Sequence, residues 1–293
     1  MSEPIDVVII GAGQAGLSVS HELTAAGVDH VVLERSDVAS SWASRWDSFT
    51  LVTPSHTIRL PGGEYSGPDP QGYLPRDEVV TYLQDYAASF QAPVRTGVDV
   101  LSVRRSHDGW RIETNEGTFE ARAVVVATGA YQRETRPAAA GDLSQWLPVL
   151  DSSEYRNPES LPGGAVLVVG SGQTGCQLAE ELFRSGRRVI LACGRAAWMD
   201  RRLEDRDIFD WLLEIGFLDQ GREHIGDPAE LLLANAQATG GRGGHDLHYR
   251  TLAALGVELA GHLVAADDDG AHFAPDLAES VAFGDERRAQ LCE

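Results

Sequence analysis

The spacing of hydrophobic positions changes character several times along the chain. Residues 5–10 read IDVVII, a β-branched apolar run that predicts a strand buried on both faces of a parallel sheet. Glycines end the run. Leu17, Val19, His21, Leu23 and Ala26 then keep helical spacing as far as Gly27, a C-terminal stop, and residues 30–33 read as a second strand, completing a βαβ unit. Residues 36–75 are rich in Ser, Pro, Gly and Trp and show no sustained period, which predicts a long loop around something bound. Residues 76–90 carry acids near their start and apolar positions at helical spacing. Short alternating runs over 98–121, separated by SHDG and NEG, predict a small antiparallel meander, and AVVVATGAY (123–131) returns as a buried strand ending in glycine. A Pro-containing segment near 135–164 predicts a domain crossing, followed by a second βαβ unit over 165–193. Beyond it the spacing predicts helices at 205–215, 228–238 and 246–255 and a strand at 257–260, with no short-period repeat.

Composition narrows this picture. With 293 residues, 43% of them hydrophobic and 23% charged, the chain can build two cores. A formal net charge of −20 speaks against nucleic acid or an anionic membrane as partner, although a local cationic pocket can still hold phosphates. The first apolar run follows Glu3, lacks a basic start, and is too short for a signal peptide or a membrane span. The expected location is the cytoplasm. Cys176, Cys193 and Cys292 are odd in number, widely spaced and form no CxxC, which points away from a disulfide framework or a metal site.

The chemistry lies in a duplicated device, VVIIGAGQAGLSVSHEL (7–23) and VLVVGSGQTGCQLAEEL (166–182). Gly11, Gly13 and Gly16, with Gln14 and Ala15 between them, fit GxGxxG between strand and helix. The first glycine allows the tight turn, the second lets a pyrophosphate approach, and the third lets helix and strand pack closely. The helix start offers N–H groups to the phosphates. Glu34, beside Arg35 at the end of the second strand, is placed to take ribose hydroxyls. Gly170, Gly172 and Gly175, with Gln173 and Thr174, repeat the turn without the acid. Counting 23 positions from Gly11 reaches Glu34, whereas the same count from Gly170 reaches Cys193, followed by Gly194 and Arg195. Arg195, with Arg187, Arg188, Arg201 and Arg202 nearby in sequence, suits a 2′-phosphate, so NADPH is expected rather than NADH. Two nucleotide sites suit a flavin held at one and a nicotinamide admitted at the other, with hydride passing between them.

GAGQAG with Glu34, SSWASRWDSFTLVTP (40–54), GYLPRDEVVTYLQDYA (72–87), VVVATGAY (124–131), SSEYRNPESLPGGAVLVVGSGQTGCQLAEEL (152–182) and RLEDRDIFDWLLEIGF (202–217) together resemble the flavin-containing monooxygenase-like flavoproteins, a branch of the two-dinucleotide-domain FAD/NAD(P) oxidoreductases. The resemblance runs through most of the chain. It implies that Gly11, Gly13, Gly16 and Glu34 hold FAD, that Ser41 and Trp42 lie near the flavin, that Thr128 and Gly129 close over the cofactor, and that Gly170, Gly172, Gly175 and Arg195 hold NADPH. The chain departs from the family pattern at two places. The linker QWLPVLDSSEY keeps Tyr155 but places Asp151 where the family carries a histidine, and the expected C-terminal return to the FAD domain is begun rather than completed by residues 276–293.

The expected fold is α/β, with two Rossmann-like dinucleotide-binding domains: an FAD domain over 1–155 carrying the meander and an NAD(P)H domain over 160–275. The expected activity is that of an FAD-dependent, NADPH-using monooxygenase, in which reduced flavin activates molecular oxygen for a small-molecule substrate. A reductase with another acceptor and a non-catalytic redox-sensing protein are the alternatives. No side chain stands out as a catalytic acid or base. His56 in the loop, and His245 and His248 in GGHDLHY, read as loop and helix-capping residues rather than metal ligands. A homodimer is expected from the class, and no residue tests it.

Overall fold

The computed structural model describes residues 5–139, 147–219, 221, 237–267 and 270–291. Most of the helix predicted at 228–238 lies outside them, as do Gln145 and Trp146 of the linker and Cys292. The chain divides into two compact units, Met1–Arg45 with Ser55–Glu134, and Trp46–Pro54 with Thr135–Glu293.

In the first unit β1 (Ile5–Ile10), α1 (Gln14–Ala25) and β2 (His30–Leu33) form the predicted βαβ unit. A short helix α2 (Ser40–Ala43) and a hairpin of β3 (Arg59–Leu60) and β4 (Gly63–Glu64) lie within the long connection. Then come α3 (Arg76–Ser89), β5 (Val94–Arg95), β6 (Val100–Ser106), β7 (Gly109–Thr114) and β8 (Gly117–Val126). The sheet order is β5-β2-β1-β8-β7-β6. The predicted meander and the predicted buried strand prove to be joined through β8. Its first half pairs antiparallel with β7, Thr114 opposite Gly117, and its second half pairs parallel with β1, Ile10 opposite Val126. No Gly or Pro interrupts residues 118–126, so the strand runs straight through the change from alternating to continuous apolar pattern. Val8, Ile10, Val31, Leu33, Val98, Ile112 and Ala121 form the core on one face of this sheet. Buried His30 is satisfied, with Nε2 2.8 Å from Ser20 Oγ and Nδ1 2.9 Å from the Val28 carbonyl.

In the second unit β9 (Val166–Val169), α4 (Gln173–Arg184) and β10 (Val189–Ala192) repeat the βαβ path. Next come the hairpin of β11 (Arg202–Leu203) and β12 (Arg206–Asp207), and α5 (Ile208–Glu214). After these, α6 (Tyr249–Leu255) leads to β13 (Glu258–Ala260), which pairs parallel with β10 to give the order β13-β10-β9. Cys176, Ala179 and Leu182 form the buried stripe of α4, three residues apart. A second hairpin, β14 (Leu263–Asp267) and β15 (Gly270–Phe273), precedes α7 (Leu277–Leu291).

The two compact units do not coincide with the domain spans expected from the sequence, 1–155 and 160–275. The division follows Glu134 rather than residue 155, and Trp46–Pro54 belongs to the second unit. There Asp47 N–H donates to the Arg156 carbonyl at 2.8 Å, Asn157 Nδ2 to Asp47 Oδ2 at 2.6 Å, and Arg201 Nη1 to the Val52 carbonyl at 2.6 Å. An aperiodic segment is fixed by such long-range bonds, which no local spacing reveals. Residues 276–293, expected to begin a return to the first domain, also fall in the second unit. There Arg288 pairs with Asp200, Arg250 pairs with Asp285, and Trp198 Nε1 donates to Asp285 at 3.3 Å. No helix among the described residues is long and apolar enough to cross a membrane.

Candidate functional site

The two glycine turns, each within its own unit, have closely matching backbones. Gly11, with φ of 106°, donates its N–H to the Leu33 carbonyl at 2.8 Å, tying the end of β1 to the end of β2. A Cβ on Gly11 would lie 2.5 Å from the Ala127 carbonyl oxygen, and one on Gly16 would lie 1.9 Å from that of Gly11. The chain itself therefore demands the first and third glycines. It does not demand Gly13, whose added Cβ would meet nothing within 4 Å. At such a position the bare backbone is open to close approach by another group. Gly13 is also the residue before α1 and supplies no side-chain cap, so the N–H groups of Gln14, Ala15 and Gly16 begin the helix without one.

Glu34 is buried at the end of β2 and braces this turn. Its Oε2 accepts the Ala12 N–H at 2.8 Å, and its Oε1 accepts the Ser36 N–H at 3.0 Å and the Ser40 hydroxyl at 3.3 Å. A carboxylate has about four acceptor positions, so Oε2, which accepts the Ala12 N–H, has an acceptor position left. The structure brings several other candidates to this end of the sheet. Ala39 N–H donates to the Ala12 carbonyl at 3.1 Å, which sets α2, with exposed Ser41 and half-buried Trp42, beside the turn. Thr128 and Gly129 follow directly on the Ala127 that packs against Gly11, and both are exposed, as is Arg35.

In the second unit Gly170, with φ of 102°, donates to the Ala192 carbonyl at 3.0 Å, the counterpart of the Gly11 bond. A Cβ on Gly175 would sit 1.8 Å from the Gly170 oxygen, while one on Gly172 would meet nothing within 4 Å. The backbone at the middle glycine is therefore open here as well. The bracing differs. Cys193 occupies the place of Glu34, and burial, despite the Ser171 hydrogen bond, pushes its thiol up to about 11, so no charge sits there. Ser171, between the first two glycines, instead reaches out to Gly194, accepting its N–H at 3.0 Å, and Tyr249 Oη donates to the Gly194 carbonyl at 2.5 Å. Burial above all pushes the Tyr249 phenol up to about 12, which keeps it a neutral donor. Gln173 engages its side-chain amide with Ala238, whose N–H it accepts at 3.0 Å. Thr174 follows it in the first turn of α4.

The arginines grouped by sequence part company in space. Arg187 Nη2 donates to the carbonyls of Pro158 and Leu161 at 3.0 and 2.9 Å and secures that loop. Arg188 forms a fork onto Glu258 at 2.6 and 2.9 Å. Arg201 is 1% exposed and bound to Asp207 Oδ2 at 2.7 and 2.9 Å. Arg187 and Arg201 are thus held by partners within the fold, while Arg188 remains exposed in its ion pair. Arg195 is exposed, with no hydrogen bond or ion pair among the described residues.

The histidines have local partners. His56 Nδ1 lies 3.0 Å from the Pro70 carbonyl, His245 Nε2 lies 2.9 Å from Glu180 Oε1, and His248 caps α6 by accepting the Arg250 N–H at 3.3 Å. Asp151 closes its own turn, its Oδ1 accepting the Ser153 N–H at 3.2 Å, and Tyr155 is buried. Ser171 and Tyr249 were missed by sequence reasoning. Ser171 could have been suspected from its place between two glycines, whereas Tyr249, 78 positions away, gave no signal.

The family described as pyridine nucleotide-disulphide oxidoreductase matches residues 8–211. An oxidoreductase from Geobacillus kaustophilus described as CzcO-like is 35% identical, over 75% of this chain and 63% of its own length. A probable indole-3-pyruvate monooxygenase from Arabidopsis thaliana is 33% identical, over 60% of this chain and 44% of its own. A solved flavin monooxygenase from Stenotrophomonas maltophilia, a doubly substituted variant, superposes with a TM-score of 0.70 at 25% identity, covering 93% of this chain and 74% of that one. The chain spans under two thirds of the length of the CzcO-type relatives.

Proposed function

Because the chain belongs to the pyridine nucleotide-disulphide oxidoreductase family, we propose that its first glycine turn holds FAD, its second holds NADPH, and that it works as a flavin-dependent monooxygenase on a small-molecule substrate. The observation that carries this reading is the unequal pair of turns. Both leave their middle glycine open, but only the first is braced by a carboxylate. A carboxylate suits free ribose hydroxyls and repels a phosphate; a neutral thiol followed by an exposed arginine suits a 2′-phosphate.

When bound, the two nucleotides supply hydride transfer and oxygen activation. The chain's own residues bind and orient. The N–H groups that begin α1, from Gln14, Ala15 and Gly16, serve one pyrophosphate, and those that begin α4, from Gln173, Thr174 and Gly175, serve the other. Glu34 takes a ribose hydroxyl on Oε2 while Ala12, Ser36 and Ser40 hold it still. Ser41, Trp42, Arg35, Thr128 and Gly129 line the mouth of the first turn, and Arg195 meets the 2′-phosphate at the second. Molecular oxygen is the expected acceptor. Free Cys176 and Cys193 are consistent with a reducing compartment, the cytoplasm.

The second reading is a reductase that passes electrons to another acceptor. Asp151 favours it, since the family's histidine position here carries a carboxylate that closes its own turn through Oδ1. The experiment that tests the main reading is an anaerobic absorbance spectrum of the protein with FAD, followed by NADPH and, separately, NADH. Bleaching of the flavin band by NADPH, at lower concentration than by NADH, is expected; an oxidised band that persists with both would refute it. Admitting oxygen with candidate substrates then separates oxygenated product from stoichiometric peroxide, the latter favouring the reductase.

A further inference from the structure

The two units brace their glycine turns in opposite directions. In the first, the strand end reaches back to the turn: Glu34 Oε2 accepts the N–H of Ala12, the residue between Gly11 and Gly13. In the second, the residue between the glycines reaches forward to the strand end. Ser171 Oγ accepts the Gly194 N–H at 3.0 Å and lies 3.2 Å from both the Gly194 carbonyl and Tyr249 Oη. Tyr249 Oη donates to that same carbonyl at 2.5 Å, so both main-chain polar groups of Gly194 are held. Gln237 supports the arrangement from behind, its amide donating to the Ser171 carbonyl and to Cys176 Sγ. Ser171 and Tyr249 are buried at 2% and 1% exposure, so these bonds are shielded from competing water.

We propose that Ser171 and Tyr249 are positioning residues that make the second turn select 2′-phosphorylated nucleotides. They act through Gly194, whose fixed main chain carries Arg195. This rests on the reading of that turn as the NADPH site and names what sets its preference. Two physical consequences follow from a neutral tether. The turn is braced without a carboxylate that would repel a phosphate. The backbone preceding Arg195 is also immobilised before a ligand arrives, so less freedom is lost when the guanidinium engages a phosphate. A mobile strand end would leave that cost to binding.

The test uses the full chain and two probes without a nicotinamide, 2′,5′-ADP and 5′-ADP, titrated calorimetrically into the unaltered protein, Ser171→Ala, Tyr249→Phe and Arg195→Ala, with a melting curve for each. The unaltered protein is expected to bind 2′,5′-ADP more tightly, and Arg195→Ala to lose that preference. Ser171→Ala should cut the preference about fivefold, the scale of one net hydrogen bond, with 5′-ADP affinity unchanged. Tyr249→Phe should cut it in the same direction and decides the matter if Ser171→Ala melts below the assay temperature. A merely structural role would weaken both probes alike, and that result overturns the proposal. So does a preference that depends on Arg195 but survives both other substitutions, which leaves the NADPH reading standing. If the unaltered protein shows no preference between the probes, the NADPH reading falls and takes this proposal with it.

Discussion

Substituting alanine at Gly13 and at Gly16 should give opposite defects, although the two glycines stand three residues apart in one motif. The Cβ of Gly16→Ala would sit 1.9 Å from the Gly11 carbonyl oxygen. Ordinary contact needs about 3.5 Å, so the start of α1 and the end of β1 must separate by roughly 1.5 Å. Both atoms belong to backbone, and no rotamer change relieves the clash. Overpacking of this kind costs about 1–3 kcal/mol, and rigid partners place it at about 2–3. At about 2–4 °C per kcal/mol for domains of 150–250 residues, the melting temperature should fall by roughly 4–12 °C. Gly13 has φ of −90° and open space around its missing Cβ, so alanine is sterically free there. A weaker helix cap and a less flexible unfolded chain nearly offset each other, leaving stability within about 1 kcal/mol. With FAD held at this turn as proposed, the alanine methyl occupies the approach of the pyrophosphate. Losing one charge-assisted bond, at about 1.5–3 kcal/mol, weakens FAD binding roughly tenfold to a hundredfold. Thermal unfolding of the flavin-free proteins, paired with FAD titration, separates the effects. A flavin-free Gly13→Ala protein that melts as low as Gly16→Ala, or one that binds FAD like the unaltered protein, would refute this division of roles between the two glycines.

Arg201→Ala removes the buried guanidinium that pairs with Asp207 and should cost about 3–5 kcal/mol in urea unfolding, whereas Arg195→Ala should change stability by less than about 0.5. Equal costs would mean that burial does not distinguish the two arginines. His248 is pushed below its ordinary 6.5 by burial, which outweighs Asp246, Asp200 and Asp285. As pH falls below about 6.5 the unfolded chain takes up this proton first, so its contribution to stability is complete above that pH and is lost as the pH drops towards the folded value. A His248→Gln variant should show a flatter stability profile over this window, and an unchanged slope would remove His248 as its source. Burial pushes the Cys176 thiol well above its ordinary range, and Cys193 up to about 11. In a Cys292→Ser background neither should react with a thiol reagent at pH 8 until denaturant is added; prompt reaction of the folded protein would contradict their packing.

Much of the fold was legible because it is written in short-range chemistry. The run IDVVII, the glycines after it and the helical spacing that follows specify a strand, a turn and a helix without help from distant residues, and the second unit repeats the same grammar. The glycine spacing also located both strand-to-helix turns, because at Gly11, Gly16 and Gly175 the backbone passes within contact distance of itself and leaves no room for a side chain. Four matters needed the tertiary structure. Five arginines looked alike in sequence, and only long-range partners tie Arg187 and Arg201 into the fold and pair exposed Arg188 with Glu258, while Arg195 is exposed without such a pair among the described residues. The segment Trp46–Pro54 joined the second unit through bonds to residues more than 100 positions away. The meander and the parallel sheet became continuous because one strand offers two edges, and pairing at each edge is decided by whichever neighbour reaches it. The Ser171–Tyr249 brace arose because two strand ends and a helix meet beneath the second turn. Local pattern determines what each segment can become; which polar groups find one another depends on closure of the chain, and that information is carried by no window of sequence.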